Sequence, residues 1–427
     1  MTRSLYFLSV EKIVMLLLLT YPTLMLTVKG GMNAVFLLAL LLALMVWLVR
    51  PLDMSKVVWQ RDWTIYWLAM IAMSLAVLLS QIANQKYGAH PYDSASRYWL
   101  SILIFLLLQR IRPQVFMSLQ FAFPLAAITG FLLTYDAHML IDVGGRRGIT
   151  TLDLIHFGDF ELLLGMLSLL SIDKFSCDKW FWVGLKILGF VAGITASFAS
   201  GSRGGWLAIP LLLGLLIYFN TGKKSLRLIG FSSLALLLIL SWVLVGQSGV
   251  NQRLDALKND AETYRYNRDT STGIRWQLYK AAVDVFVRHP IFGVGPEGFA
   301  TEMQPMMEAG KLTSEAASLG RGEVHSDILS KAAGMGIFGL VAMLSIYLVP
   351  IRFFWRATKL GSAQARRAGV LGIAFVSGFM VFGLTAETLN LTMFTAFYSF
   401  TVAVLLALCY NIHHGEQFTV NNKGDHV

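Results

Sequence analysis

Repeated apolar runs, each near the length that crosses a bilayer as a helix, decide what this chain can be. They are read at 11–28, 31–49, 63–81, 97–109, 114–134, 155–172, 180–199, 204–220, 226–246, 331–351, 369–387 and 390–412. In lipid, a backbone N–H or C=O must find its partner inside the protein, and a single run can do this only as a helix. Composition agrees. The 427 residues are 56% hydrophobic and 14% charged, against roughly 25% charged in ordinary soluble domains. The expected fold is an all-α polytopic membrane protein of about 12 transmembrane helices, one per run. One stretch breaks the pattern: Gln247–Lys331 carries charges, prolines and glycines and no long apolar run. The expected organisation is transmembrane helices in 1–246, a loop domain in 247–330, more transmembrane helices in 331–412 and a short polar tail at 413–427, expected to be disordered.

A net charge of +10 would suit nucleic acid. The positive residues, however, lie largely in short loops between apolar runs, where membrane topology demands them. Taking alternate loops, one side collects eighteen Lys and Arg, clustered at Arg110/Arg112, Lys223/Lys224/Arg227 and Arg366/Arg367. The other side has only Lys29, Lys86, Arg97, Arg146, Arg147 and Arg203 in its short loops. The first side is then cytoplasmic, with both termini, and 247–330 faces outward. No small-residue cleavage site follows the first apolar run, so it reads as an uncleaved first helix. Cys177 and Cys409 fit no metal spacing and no disulfide framework.

Arginines placed against the topological bias call for an anion. Arg146 and Arg147 are two of them. Arg203 is the third, in Ser200-Gly201-Ser202-Arg203-Gly204-Gly205, which joins the seventh and eighth runs. Its glycines allow a tight turn and close approach of a ligand to the backbone. The helix start that follows favours negative charge, and a guanidinium fork suits phosphate oxygens. A plain turn with a snorkelling arginine would look the same. Ser271–Arg288 reads as one helix capped by Ser271 or Thr272. Gln277, Lys280, Asp284 and Arg288 fall on its polar face. Arg275 lies opposite, with Leu278, Tyr279, Ala282 and Phe286, and needs either a ligand or a structural carboxylate. Arg265 and Arg268 lie in a polar stretch and either contact ligand or are solvated. Pro290–Gly295 reads as a rigid turn. His325 precedes the tenth run by one turn, at a helix start that disfavours positive charge and suits a proton acceptor; a capping or packing histidine is the bland alternative. Asp159 and Glu161 are carboxyls at membrane depth, functional candidates or arginine partners.

Together these features resemble the O-antigen ligase and polymerase superfamily: the Ser202-Arg203-Gly204-Gly205 turn, Arg275, Pro290 to Gly295, then His325 followed by Gly334, Gly336 and Gly339. The resemblance covers nearly the whole chain. It implies a GT-C-type membrane glycosyltransferase of the bacterial inner membrane, with a large helical periplasmic loop and no metal or other cofactor. The donor would be a glycan on undecaprenyl diphosphate, and the acceptor a sugar hydroxyl of the lipid A–core oligosaccharide. His325 would be the catalytic base. Arg203 and Arg275, with Arg146, Arg147 and Arg265 added on charge and sidedness, would hold the diphosphate. A polymerase of lipid-linked glycan is the nearest alternative. A protein O-oligosaccharyltransferase and a polysaccharide transporter are further ones; little internal symmetry and few mid-membrane charges weigh against the transporter.

Overall fold

The computed structural model describes residues 2–49, 61–172, 179–220, 268–360 and 362–424. The ninth apolar run, 226–246, and the residues Cys177 and Arg265 lie outside the described residues. The remaining runs are all helical. Eight described helices are long and apolar enough to cross a membrane: α1 (Thr2–Thr27, apolar from Ser9), α2 (Gly31–Val49), α3 (Arg61–Asn84), α5 (Leu119–Leu133, extended by a 3-10 turn from Pro113), α7 (Trp180–Ser200), α12 (Asp327–Ala357), α13 (Ala363–Phe382) and α14 (Thr392–Gly424). Three more are shorter or more polar: α4 (Pro91–Leu108), α6 (Leu154–Leu170) and α8 (Ala208–Asn220). This is a polytopic helical membrane protein. α14 is its central post. Its residues from Phe394 to Leu406 are almost all buried, as an all-round apolar helix must be when helices surround it.

The structure departs from the sequence expectations in three places. It is not all-α. Leu140–Val143 (β1) and Arg146–Ile149 (β2) pair as an antiparallel hairpin between α5 and α6. The reason is local: Gly144 and Gly145 both take positive φ, at 59° and 77°, which a two-residue hairpin loop requires. Second, the tail expected to be disordered continues α14 as far as Gly424. Third, α9 (Ser271–Arg288) is capped by Thr270, whose side chain accepts from Gly273 N, and not by Ser271 or Thr272. Gln277 also leaves the expected polar face. It is buried, donating to Arg268 O at 2.9 Å and accepting from Thr313 N at 2.9 Å.

The connections at one end of the bundle are knitted together. Thr151 Oγ1 donates to Leu26 O at 2.5 Å, Asn84 Nδ2 to Gly293 O at 3.3 Å and Asp327 N to Gly383 O at 2.8 Å. These bonds bring the α1–α2, α3–α4, α5–α6 and α13–α14 connections to the end where the polar segment returns to the bundle. That segment has a core of its own. α9, α10 (Phe299–Glu308) and α11 (Ser314–Gly320) bury Leu278, Val285, Met303, Met306, Ala316 and Val324 against one another.

The glycines after His325 have a mechanical use. Gly336 takes φ 62° and ψ −148°, which breaks α12 within its third turn. The carbonyls freed by the break are recovered. Val294 N donates to Ala333 O at 3.2 Å and Gly295 N to Gly334 O at 3.0 Å. Ser80 Oγ donates to Phe292 O at 2.7 Å. A Cβ at Gly293 or Gly336 would run into the facing backbone. The Pro290–Gly295 turn is therefore seated in the kink of α12, and the two motifs belong to one joint.

Candidate functional site

Three elements far apart in sequence meet at the knitted end. The first is the return strand before α12. His325 has φ 62°, a left-handed conformation that residues other than glycine adopt at a cost. Several contacts hold it there. Tyr279 of α9 reaches His325 O at 3.1 Å with its hydroxyl, and Leu384 O at 2.7 Å. On either side, Val324 N donates to the buried carboxylate of Glu387, and Ser326 Oγ donates to Gly383 O at 3.2 Å. The His325 side chain is 12% exposed, with Nδ1 2.9 Å from Oε1 of Glu323. That contact is one of proximity, and Nδ1 has no hydrogen-bond partner among the described residues. A carboxylate beside Nδ1 favours the proton there and leaves Nε2 bare to accept another. Burial works to raise the Glu323 carboxyl, but contact with His325 and the nearby charge of His156 outweigh it and hold it below its ordinary range.

The second element is the turn between α7 and α8. Gly201 caps α7 in the left-handed conformation, φ 66°. Arg146 Nε of the hairpin donates to Ser200 O at 2.8 Å, packed against Gly201. Ser202 Oγ donates to Asp159 Oδ1 of α6 at 2.8 Å. Arg203 itself is exposed and, among the described residues, its side chain has no hydrogen-bond or ion-pair partner. The third element is α9, where Arg275 sits one turn before Tyr279. Positions four apart share a helix face, so the bond from Tyr279 to His325 O puts Arg275 on the side of α9 that meets the return strand. Arg275 is half-buried and interacts electrostatically with Asp159, beneath the turn, and with Tyr279.

The 383–389 connection between α13 and α14 joins these parts. Gly383 O accepts from Asp327 N and Ser326 Oγ, and Leu384 O accepts from Tyr279. Thr385 packs so closely on Gly204 that a Cβ there would lie 2.5 Å from its Oγ1. One short connection thus touches the return strand, α9 and the arginine turn.

The two hairpin arginines part company, since successive residues of a strand point to opposite faces. Arg146 serves the turn. Arg147 lies 3.8 Å from Asp142 and 5.3 Å from the Tyr135 ring centre, on the hairpin itself. Of the two membrane-depth carboxyls, Asp159 lies under the turn. Glu161 faces away, towards Gly130 of α5, fully buried with neither oxygen hydrogen-bonded among the described residues. Sequence reasoning missed Tyr279 as a clamp, Glu323 and the 383–389 connection. It also missed His156, whose Nδ1 lies 2.5 Å from Asp153 Oδ2. Glu323 had a signal: it stands two residues before His325, so in extended chain the two share a side. Among the described residues no group of three or more His, Cys, Asp or Glu gathers as a metal site would.

Comparison with known proteins places this geometry. Residues 188–344 match the family model described as O-antigen ligase, a stretch that runs from α7 through the arginine turn and His325 into α12. An uncharacterized protein of Haemophilus influenzae is 27% identical over 309 residues, 70% of this chain and 74% of its own length. The O-antigen ligase of Escherichia coli K12 is 23% identical over 177 residues, 40% of this chain and 41% of its own. The stretch similar to the O-antigen ligase family model therefore takes in the residues that build the arginine turn, α9 and the His325 segment.

Proposed function

We propose that this protein is an O-antigen ligase of the bacterial inner membrane. It would transfer a glycan from undecaprenyl diphosphate to a sugar hydroxyl of the lipid A–core oligosaccharide. The site would open on the periplasmic face, with both termini in the cytoplasm and the polar segment, Arg265 among its residues, on the outer side. The observation that carries this reading is the meeting of a carboxylate-flanked imidazole with two arginines that, among the described residues, no carboxylate neutralises by direct contact.

Each group then has a step. Arg203, Arg275 and the backbone N–H groups of the turn hold the diphosphate, and Arg146 steadies the turn from the hairpin. The acceptor hydroxyl gives its proton to Nε2 of His325 as its oxygen bonds to the anomeric carbon. The bond from that carbon to the phosphate oxygen breaks, and its electron pair leaves with undecaprenyl diphosphate. The arginines stabilise the charge that develops there. Attack from the face opposite the leaving group inverts the anomeric centre. The polyprenyl tail stays in the bilayer while the polar segment covers the sugars.

Incubating the purified protein with lipid-linked glycan and lipid A–core tests this, with no metal added. Glycosylated lipid A–core is the expected product. A longer glycan still on the lipid carrier would make the protein a polymerase, and movement of unchanged substrate across sealed vesicles would make it a transporter. An epitope tag in Gln247–Lys331 protected from the periplasmic side would overturn the sidedness.

A further inference from the structure

Asp159 is 2% exposed in the middle of a bundle that offers its carboxyl one hydrogen bond, from Ser202 Oγ at 2.8 Å. Its other oxygen, Oδ2, has no hydrogen-bond partner among the described residues. Burying an acidic side chain at membrane depth with so little compensation is costly, and an apolar residue of similar size would pack there more cheaply. The surroundings are shaped around it. A Cβ at Gly205 would run into Oδ1, and a Cβ at Gly158, one residue before Asp159, would run into Ser200 Oγ and press on Ser202. Both sides of the contact are thus stripped of side chain so that the turn can lie on α6.

We infer that Asp159 is a positioning residue for diphosphate binding: by holding Ser202 it sets the Ser202–Gly205 turn so that Arg203 and the backbone N–H groups face the ligand. The inference rests on the proposed function and adds to it the group that builds the anion site from below. Ser202 cannot turn away while its hydroxyl is bonded downwards, so Arg203, next in the chain, projects outwards. Arg146 fixes the preceding residue through Ser200 O, and Thr385 presses on the following one at Gly204. Of these three holds, only the one from Asp159 comes from within the bundle.

The test is binding of farnesyl diphosphate to the purified full-length protein in detergent, by calorimetry. Asp159→Ala and Ser202→Ala should each weaken binding roughly fivefold, the worth of one hydrogen bond. The double variant should be no weaker than either single one, because both remove the same bond. Asp159→Asn keeps an acceptor oxygen in the same place and should recover most of the affinity. A residue that merely filled space would also recover in Asp159→Asn, but its loss would not be shared with Ser202→Ala. Unchanged affinity in Ser202→Ala, or losses that add in the double variant, would overturn the inference. Ser202→Ala carries the test alone if Asp159→Ala does not accumulate, since it removes the bond from the other end. If the wild type itself fails to bind, the proposed function falls first; if it binds and the variants match it, only the role of Asp159 falls.

Discussion

His325 and Arg203 sit at the same end of the bundle and are held in opposite ways. The backbone around His325 is tied on every side, through Tyr279, Glu387 and Gly383, and its ring is 12% exposed beside Glu323. Around Arg203 the turn is clamped by Arg146, Asp159 and Thr385, yet the guanidinium is left exposed. The difference follows from the two tasks. A base must stand at a fixed distance from the hydroxyl it deprotonates. A cation that receives a large, lipid-borne diphosphate loses strength if a protein carboxylate occupies it first.

The largest effect expected from breaking this contrast is at His325. His325→Asn should fold, since asparagine tolerates positive φ better than most residues, and should lower transfer by about 10²- to 10⁴-fold. His325→Ala should abolish transfer likewise. Near-normal product on a lipopolysaccharide gel would remove His325 as base. Next come the cations. Arg203→Ala and Arg275→Ala should each weaken use of the diphosphate donor by roughly tenfold or more, the loss of a charge-assisted hydrogen bond. The donor KM in purified protein is the measurement, and an unchanged value removes that arginine from the site.

Loosening the strand without touching the imidazole should cost less. Tyr279→Phe leaves His325 O and Leu384 O without this donor and should destabilise the fold by about 1–3 kcal/mol. Turnover should fall while the donor KM holds; a change in KM alone would mean that α9 serves the diphosphate and not the base. The smallest effect lies outside the contrast and calibrates it. Asp284 is held below its ordinary range by a hydrogen bond from Lys311, against a smaller opposing effect of burial, with further help from the charges of Lys311 and Arg288. The lowered folded value means that this stability is present above the unfolded carboxyl range and lost as pH falls through the folded one. The pair is exposed and screened by solvent, so Lys311→Ala should cost only about 0.2–1 kcal/mol, read by denaturant titration at pH 7. That difference from wild type should shrink in acid.

What the sequence made legible is what depends on neighbours in the chain. The described apolar runs become helices, Ser200–Gly205 becomes a tight turn, and His325 stands at a helix start. What it hid depends on distant partners. The 383–389 connection looks like any loop: Gly383 and Leu384 act through backbone carbonyls, which carry no side-chain signature, and Thr385 and Glu387 act on partners distant in the chain. Gln277 reads as a surface residue on a helical wheel and is buried, because it bridges Arg268 and Thr313 across two loops. Arg146 and Arg147 read as a pair until the hairpin separates them by one register position. The glycines at 334 and 336 were visible as a motif, but their fit to the 290–295 turn required the fold.

The most direct test of the account is a reconstituted transfer reaction: protein in nanodiscs, lipid-linked glycan and lipid A–core, wild type beside His325→Asn. The wild type should build glycosylated lipid A–core, and the variant should bind donor normally yet form product about 10²- to 10⁴-fold more slowly. Product formed by the variant at the wild-type rate would contradict the account.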